Sequence, residues 1–316
     1  MKKIGIIVLL LTMTFSVAAY DLVDLTDSFD NFADDTADAL PMMAGMGLNW
    51  NDAYMGMFPR FGIGLTAGAV FIPADSFTEI ADLIDADGLD NLPSIGLPMP
   101  MYTVDARIGI PILPMDAGFK IGALDTSSLL DSSDYSLNYM MVGGDVRYAI
   151  LKGKLIMPEL SVGIGYTYLR GEVLVPAGSS QTVATDLGNL TLDDTELFFD
   201  WSANIFDFKV QASKKLLLLN LSAGLGYSYG VTTAGGGINS DNISGLDDAQ
   251  VTEMASLYGI DIDSYGIDIE SEVNAGALRL FGGAGLNMPL FKLDFGLNYG
   301  VTSQTLGLTS NVRFQL

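Results

Sequence analysis

The sequence predicts an all-β protein: a transmembrane antiparallel up-and-down β-barrel of about ten strands behind a short helical N-terminal leader. Three observations carry this prediction. Apolar and polar residues alternate with period 2 from Phe61 to the end, in segments longer than ordinary globular strands. The connections alternate between tight turns and long loops, as in barrels that cross a membrane. Charge follows the same division. The long loops 73–100, 125–137, 175–194 and 232–272 hold 6, 3, 3 and 9 Asp/Glu and no Lys or Arg. Lys152, Lys154, Lys214, Lys215 and Lys292 all fall in or beside the tight turns. A soluble β-sandwich has no reason to sort its charges by end so completely.

Lys2 and Lys3 precede an uncharged run from Ile4 to Val17 and the small residues Ala18 and Ala19. That is the pattern of a signal peptide over residues 1–19, cleaved near Ala19. Its removal leaves 13 basic and 38 acidic residues, a net charge of −25. Such a chain is no partner for nucleic acid. Without Cys, an exported chain draws its stability from a core or a closed sheet.

Residues 20–59 form the leader. In "DLTDSFDNFADDTADAL" (Asp24–Leu40), Phe29, Phe32, Ala33 and Leu40 share one helical face. Entering from the periplasmic side, this segment either packs under the barrel or plugs its lumen. The barrel follows over residues 60–316, with strands expected at 60–72, 101–112, 115–124, 138–151, 155–174, 195–213, 216–231, 273–288, 291–302 and 304–316. Twelve strands result if Gly47–Tyr54 forms one more and a loop hides its partner. Within 195–213 the apolar parity moves from odd (Phe199, Trp201, Ala203, Ile205) to even (Phe206, Phe208, Val210), which a β-bulge near Ile205 explains. Loop 73–100 holds a helical period at Phe77, Ile80, Ala81 and Ile84. Loop 232–272 holds another, with Val251, Met254, Ala255 and Leu257 or Tyr258 on one side.

One strand face offers large apolar rows. The other offers Gly, Ser, Thr, Asn and scattered ions, a poor hydrophobic core but a suitable barrel lumen with the apolar rows turned to lipid. Tyr102, Tyr139, Tyr166, Tyr168, Trp201, Tyr227, Tyr229 and Tyr299 suit interfacial girdles. Asp105, Arg107, Lys120, Asp145, Arg147, Arg279, Asp294 and Arg313 lie on the polar parity and are expected to line the lumen. They form either a salt-bridge network or a charge-selective constriction. Asp261, Asp263, Gly266 and Glu272 match a calcium-loop spacing, so Asp261, Asp263 and Glu272 are metal candidates for a loose Ca2+ site in an extracellular loop. No other cofactor is expected.

These patterns together resemble Gram-negative outer-membrane β-barrels. The stretch "GLNWNDAYMGMFPRFGIGLTAGAVFIP" (Gly47–Pro73) resembles spirochaete, treponeme-type outer-membrane proteins. The leader is similar in arrangement to the N-terminal hatch of long-chain fatty-acid transporters, without their Asn-Pro-Ala motif. Enzymes of the outer-membrane barrel class generally use a His, and this sequence has none. Triad and imidazole-metal chemistry are therefore excluded, and no enzyme is expected. The resemblance implies outer-membrane localisation, a lipid environment, and a last strand read by the barrel-assembly machinery through Val312, Phe314 and Leu316. The leading expectation is passive transport or binding of a small or hydrophobic solute. The alternative is an adhesin-like surface-interaction protein with a closed lumen and partner-binding acidic loops.

Overall fold

The computed structural model describes residues 19–21, 26–27, 31, 33, 37, 39–72, 97–125, 136–154, 157–185, 188–258, 260–263 and 265–316. Ten antiparallel strands form the wall. They are β1 (Phe61–Ile72), β2 (Leu97–Gly109), β3 (Met115–Asp125), β4 (Ser136–Lys152) and β5 (Glu159–Thr185). There follow β6 (Gly188–Leu216), β7 (Leu219–Asn239), β8 (Gly266–Asn287), β9 (Phe291–Gly300) and β10 (Leu306–Gln315). Each pairs with the next, and β10 returns to β1 with Leu306 opposite Phe71 and Gln315 opposite Gly62. Closure leaves the wall no free edge, as a sheet in hydrocarbon requires.

The β2–β3, β4–β5, β6–β7 and β8–β9 turns gather at one end, here called the turn end, and the remaining connections lie at the other, the loop end. Outward residues make an apolar belt, including Ile63, Leu65, Val104, Ile108, Phe119, Ile164, Phe208, Leu225 and Leu297, all exposed. On β7 this row runs from Leu219 to Tyr229, about 25 Å of height for a tilted strand, close to the apolar band of outer-membrane barrels. Tyr102, Tyr166, Tyr227, Tyr229 and Tyr299 stand on the outer face near its loop-end margin. Tyr139 and Trp201 depart from the girdle expectation: both are buried in the lumen, and Tyr139 Oη donates to the Tyr102 carbonyl at 3.1 Å.

The same inversion removes the expected bulge. Register from Glu196 to Ser213 is unbroken against both β5 and β7. Between Thr195 and Ser213 the buried residues of β6 are odd, so Trp201, Ala203 and Ile205 are buried as Lys209, Gln211 and Ser213 are. The parity change in the sequence marks a change in the lumen, from apolar near the loop end to polar near the turn end. The register shifts lie elsewhere, between Ala149 and Leu151 and between Pro176 and Gly178.

Two expected loops are largely strand. Residues 175–185 and 188–194 continue β5 and β6 as one hairpin that closes with Thr185 opposite Gly188. Of 232–272, residues up to Asn239 belong to β7 and those from Gly266 to β8. Between them lie a short strand, Asn242–Ser244, the helix α1 (Asp248–Tyr258) and another short strand, Asp261–Asp263. The polar composition concealed this continuation, because above a membrane a strand needs no lipid-facing row. What holds it is a second core. Val183, Leu190, Leu192 and Leu197 pack with Ile238, Ile260, Ile262, Ile267, Ile269 and Met254. Asp247 starts α1: its Oδ1 accepts from the Ala249 and Gln250 amides at 3.0 and 2.9 Å, and Gln250 Oε1 accepts from the Asp247 amide at 3.0 Å. Met254 is fully buried and Val251, Ala255 and Tyr258 are packed, whereas Leu257 is exposed. The helical period in 73–100 lies outside the described residues, apart from 97–100, which open β2.

The leader occupies the lumen, and it does not enter from the turn end. Residues 19–21 pair in parallel with Thr182–Ala184 of β5, at the loop end. Residues 39–44 are helical beside the upper wall, and the chain then descends to the turn end. There Gly56 adopts a φ of 118° and the Arg60 amide donates to the Met57 carbonyl at 3.1 Å, reversing the chain into β1. Gly47–Tyr54 is plug, not an additional strand.

Candidate functional site

The lumen is the candidate site, and it has two storeys. Its upper storey is apolar and rich in methionine. Leu40, Met42, Met43 and Met46 of the leader pack on Val70, Met101, Leu137, Met141, Leu169, Trp201, Ala203, Ile205 and Ala234 of the wall. Unbranched thioether side chains fill such irregular space well.

The lower storey is an ion-pair network through which the leader passes. All eight charged residues expected in the lumen are buried. Arg107 bridges Asp116 at 2.6 Å and Asp145 at 2.7 Å. Arg147 holds the other side of Asp116 at 2.8 Å, and Lys209 holds Asp145 at 2.7 Å. Arg313 pairs with Asp294 across neighbouring strands. Arg279 pairs instead with Asp207, at 2.7 Å, away from this cluster. Lys120 meets no carboxylate among the described residues: its Nζ donates to the carbonyls of Ala44 and Met46, closing the C-terminal end of the leader helix.

The leader supplies what the wall lacks. Asp52 is completely buried and receives Arg313 at 2.9 Å, Lys292 at 2.6 Å, Lys215 at 3.4 Å and the Asn220 amide at 2.9 Å. Burial alone would raise this carboxyl, but the Arg313, Lys292 and Lys215 charges outweigh it and hold it well below the usual carboxylate range. Trp50 donates through its indole N–H to Asp105 and lies under two guanidinium groups, Arg313 at 4.5 Å and Arg107 at 5.7 Å from the ring centroid. The backbone is tied as well. Leu48, Trp50 and Asp52 carbonyls accept from Arg107, Gln211 and Arg147, while the Ala53 and Met55 amides donate to Ser213 and Asp116. Small wall residues make room: a Cβ at Gly283 would collide with Asn51, and one at Gly62 would press on Trp50.

Sequence reasoning missed Trp50, Asp52, Asp116, Asp207 and Lys209. Asp116 sits on the polar parity of β3 opposite Arg147, so parity alone could have found it. Lys209 was concealed by the parity change on β6. Asp52 lies in a segment with no period.

The metal candidates do not converge. Asp261 and Asp263 pair with Asp268 and Gly266 in a tight hairpin. Glu272 lies four residues beyond Asp268 on β8, about 13 Å along the strand. Among the described residues, no group of three or more such ligands assembles. Val312 on β10 and Leu316 just past its end are exposed, and Phe314 packs against Phe61 and Phe291 with centroids 6.4 and 5.9 Å apart.

In sequence, the family described as Lsa36-like matches residues 55–315. No curated protein matches the chain. Among solved structures, the outer membrane protease OmpT from Escherichia coli aligns over 81% of this chain and 96% of its own, at 10% identity and a TM-score of 0.42. The translocator domain of the autotransporter NalP from Neisseria meningitidis aligns over 90% and 98%, at 11% identity and 0.38. A major outer membrane protein from Thermus thermophilus aligns over 81% and 99%, at 12% identity and 0.31. Likenesses this distant carry no chemistry from those proteins to this one.

Proposed function

The chain belongs to the Lsa36-like family, and we propose that it is an outer-membrane barrel with a closed lumen that serves as a surface-interaction protein. One observation carries this reading. Residues 39–58 run through the lumen, and its fixed charges are spent on that segment and on each other. Passive transport or binding of a small or hydrophobic solute, the leading expectation from sequence, would require this segment to move aside. Among the described residues, the part left to meet a partner is the cap at the loop end, built on the second core.

Its outer surface favours a basic partner. Glu172, Asp200, Gly235 and Glu270 lie in one cross-strand row over β5–β8, and Asp268 and Glu272 flank it on β8. Like charges directly opposite one another weaken a sheet, and a positively charged partner would relieve them. Replacing 180–192 and 240–265 with short turns, together with Glu172→Gln, Asp200→Asn and Glu270→Gln in the row itself, tests the proposal. The barrel should still assemble, as a heat-dependent gel shift would report, but should lose adherence to host or matrix material. Equal adherence of the capless barrel would reject the reading.

A further inference from the structure

The turn end carries a polar assembly that the plug engages only through Lys215 and Lys292 among the described residues. Six of the 13 basic residues after Ala19 are buried in the lumen: Arg107, Lys120, Arg147, Lys209, Arg279 and Arg313. Of the other seven, Arg60, Lys152, Lys154, Lys214, Lys215 and Lys292 all lie at the turn end, and only Arg170 lies elsewhere. A cavity of about 210 Å³ opens between the β4–β5 and β6–β7 turns, lined chiefly by Lys152, Lys154, Met157, Glu159, Lys214 and Lys215. Lys214 Nζ donates to the Lys154 and Met157 carbonyls at 3.0 and 3.2 Å, joining the two turns. Lys215 neutralises Glu159 at 3.1 Å. Lys152 and Lys154 stand either side of Gly153, whose φ of 68° makes the turn, and neither forms an ion pair among the described residues. The cavity therefore keeps a net positive charge.

Its surroundings are apolar. Leu217 is 100% exposed and Leu218 66% at the neighbouring turn tip, and Met157 is 50% exposed at the cavity itself. Ile150, Val162 and Leu219, just above, belong to the outer apolar belt. Leucines at a turn tip are costly in water and favourable at the level of lipid headgroups, where lysines also reach from apolar surface towards water.

We propose that this cavity binds the phosphate of an anionic phospholipid in the leaflet at the turn end, with the acyl chains laid along Ile150, Val162 and Leu219. Charge complementarity and continuity with the lipid-facing belt select this occupant. The assignment does not rest on the closed-lumen reading and survives its failure.

Native mass spectrometry of the full chain in detergent, offered phosphatidylglycerol or phosphatidylcholine, tests it. The protein should retain phosphatidylglycerol preferentially, and the preference should fall as salt is raised. Lys152→Gln with Lys154→Gln should lower that preference by roughly 25-fold, about fivefold per lysine. Equal retention of the two lipids by the unaltered protein would overturn the proposal whatever the variant does. So would an undiminished preference in the variant, or binding of inorganic phosphate alone as tight as that of the lipid.

Discussion

Asp52 is the carboxylate that the turn-end cations Arg313, Lys292 and Lys215 share, and the leader's position depends on it. Asp52→Asn would leave Arg313 and Lys292 buried without that charge. The expected loss is about 3 kcal/mol, read as a lower denaturant midpoint for the assembled barrel. Acid acts on the same contact. Because the folded carboxyl is held below its unfolded value, its stabilisation is present above the ordinary carboxylate range and disappears as pH falls through the folded value. Protection of residues 45–55 from hydrogen exchange should thus persist at pH 5 and fail only in strong acid; release between pH 5 and 7 would contradict the assignment. Lys120→Met tests the helix closure above it, with an expected cost of about 1–3 kcal/mol in the same denaturant experiment, since the Ala44 and Met46 carbonyls lose their donor. The eight wall charges were legible in the sequence because each sits on the polar parity of a regular strand. Asp52 was not, because only the fold brings a non-periodic segment against those charges.

At the scale of elements, alternation revealed all ten strands, and their errors have two physical sources. On β6, inward Trp201, Ala203 and Ile205 resembled a lipid-facing row because the upper lumen is itself apolar. In β5, the stretch "PAGSSQT" (Pro176–Thr182) resembled a loop, although it continues a strand stabilised by the second core beyond it. That core makes the cap separable from the barrel. Met254→Asp places a charge in its centre and should open 240–265 to protease while the heat-dependent gel shift of the barrel remains unchanged. The final strand has the opposite character. Deleting Val312–Leu316 removes four of the ten residues of β10 that pair with β1, including the Phe314 contacts to Phe61 and Phe291, and should abolish membrane assembly. Normal insertion of that truncation would count against closure through β10.

For the whole molecule, the decisive feature is the direction in which the leader threads the barrel. Residues 19–21 lie at the loop end and Gly56 at the turn end, so the chain crosses the full height of the lumen before the first wall strand begins. With a signal peptide cleaved after Ala19, an epitope placed behind Tyr20 should be labelled on intact cells; labelling only after lysis would place the leader's start at the turn end. Threading also explains how a narrow barrel tolerates so many buried ions, since the segment that blocks it satisfies them. The most direct measurement is conductance of the purified full chain in a planar bilayer, beside a variant lacking residues 22–55. The full chain should hold the bilayer silent and the deletion should produce discrete conductance steps, whereas steady open-channel steps of equal size from both would contradict a lumen closed by its own leader.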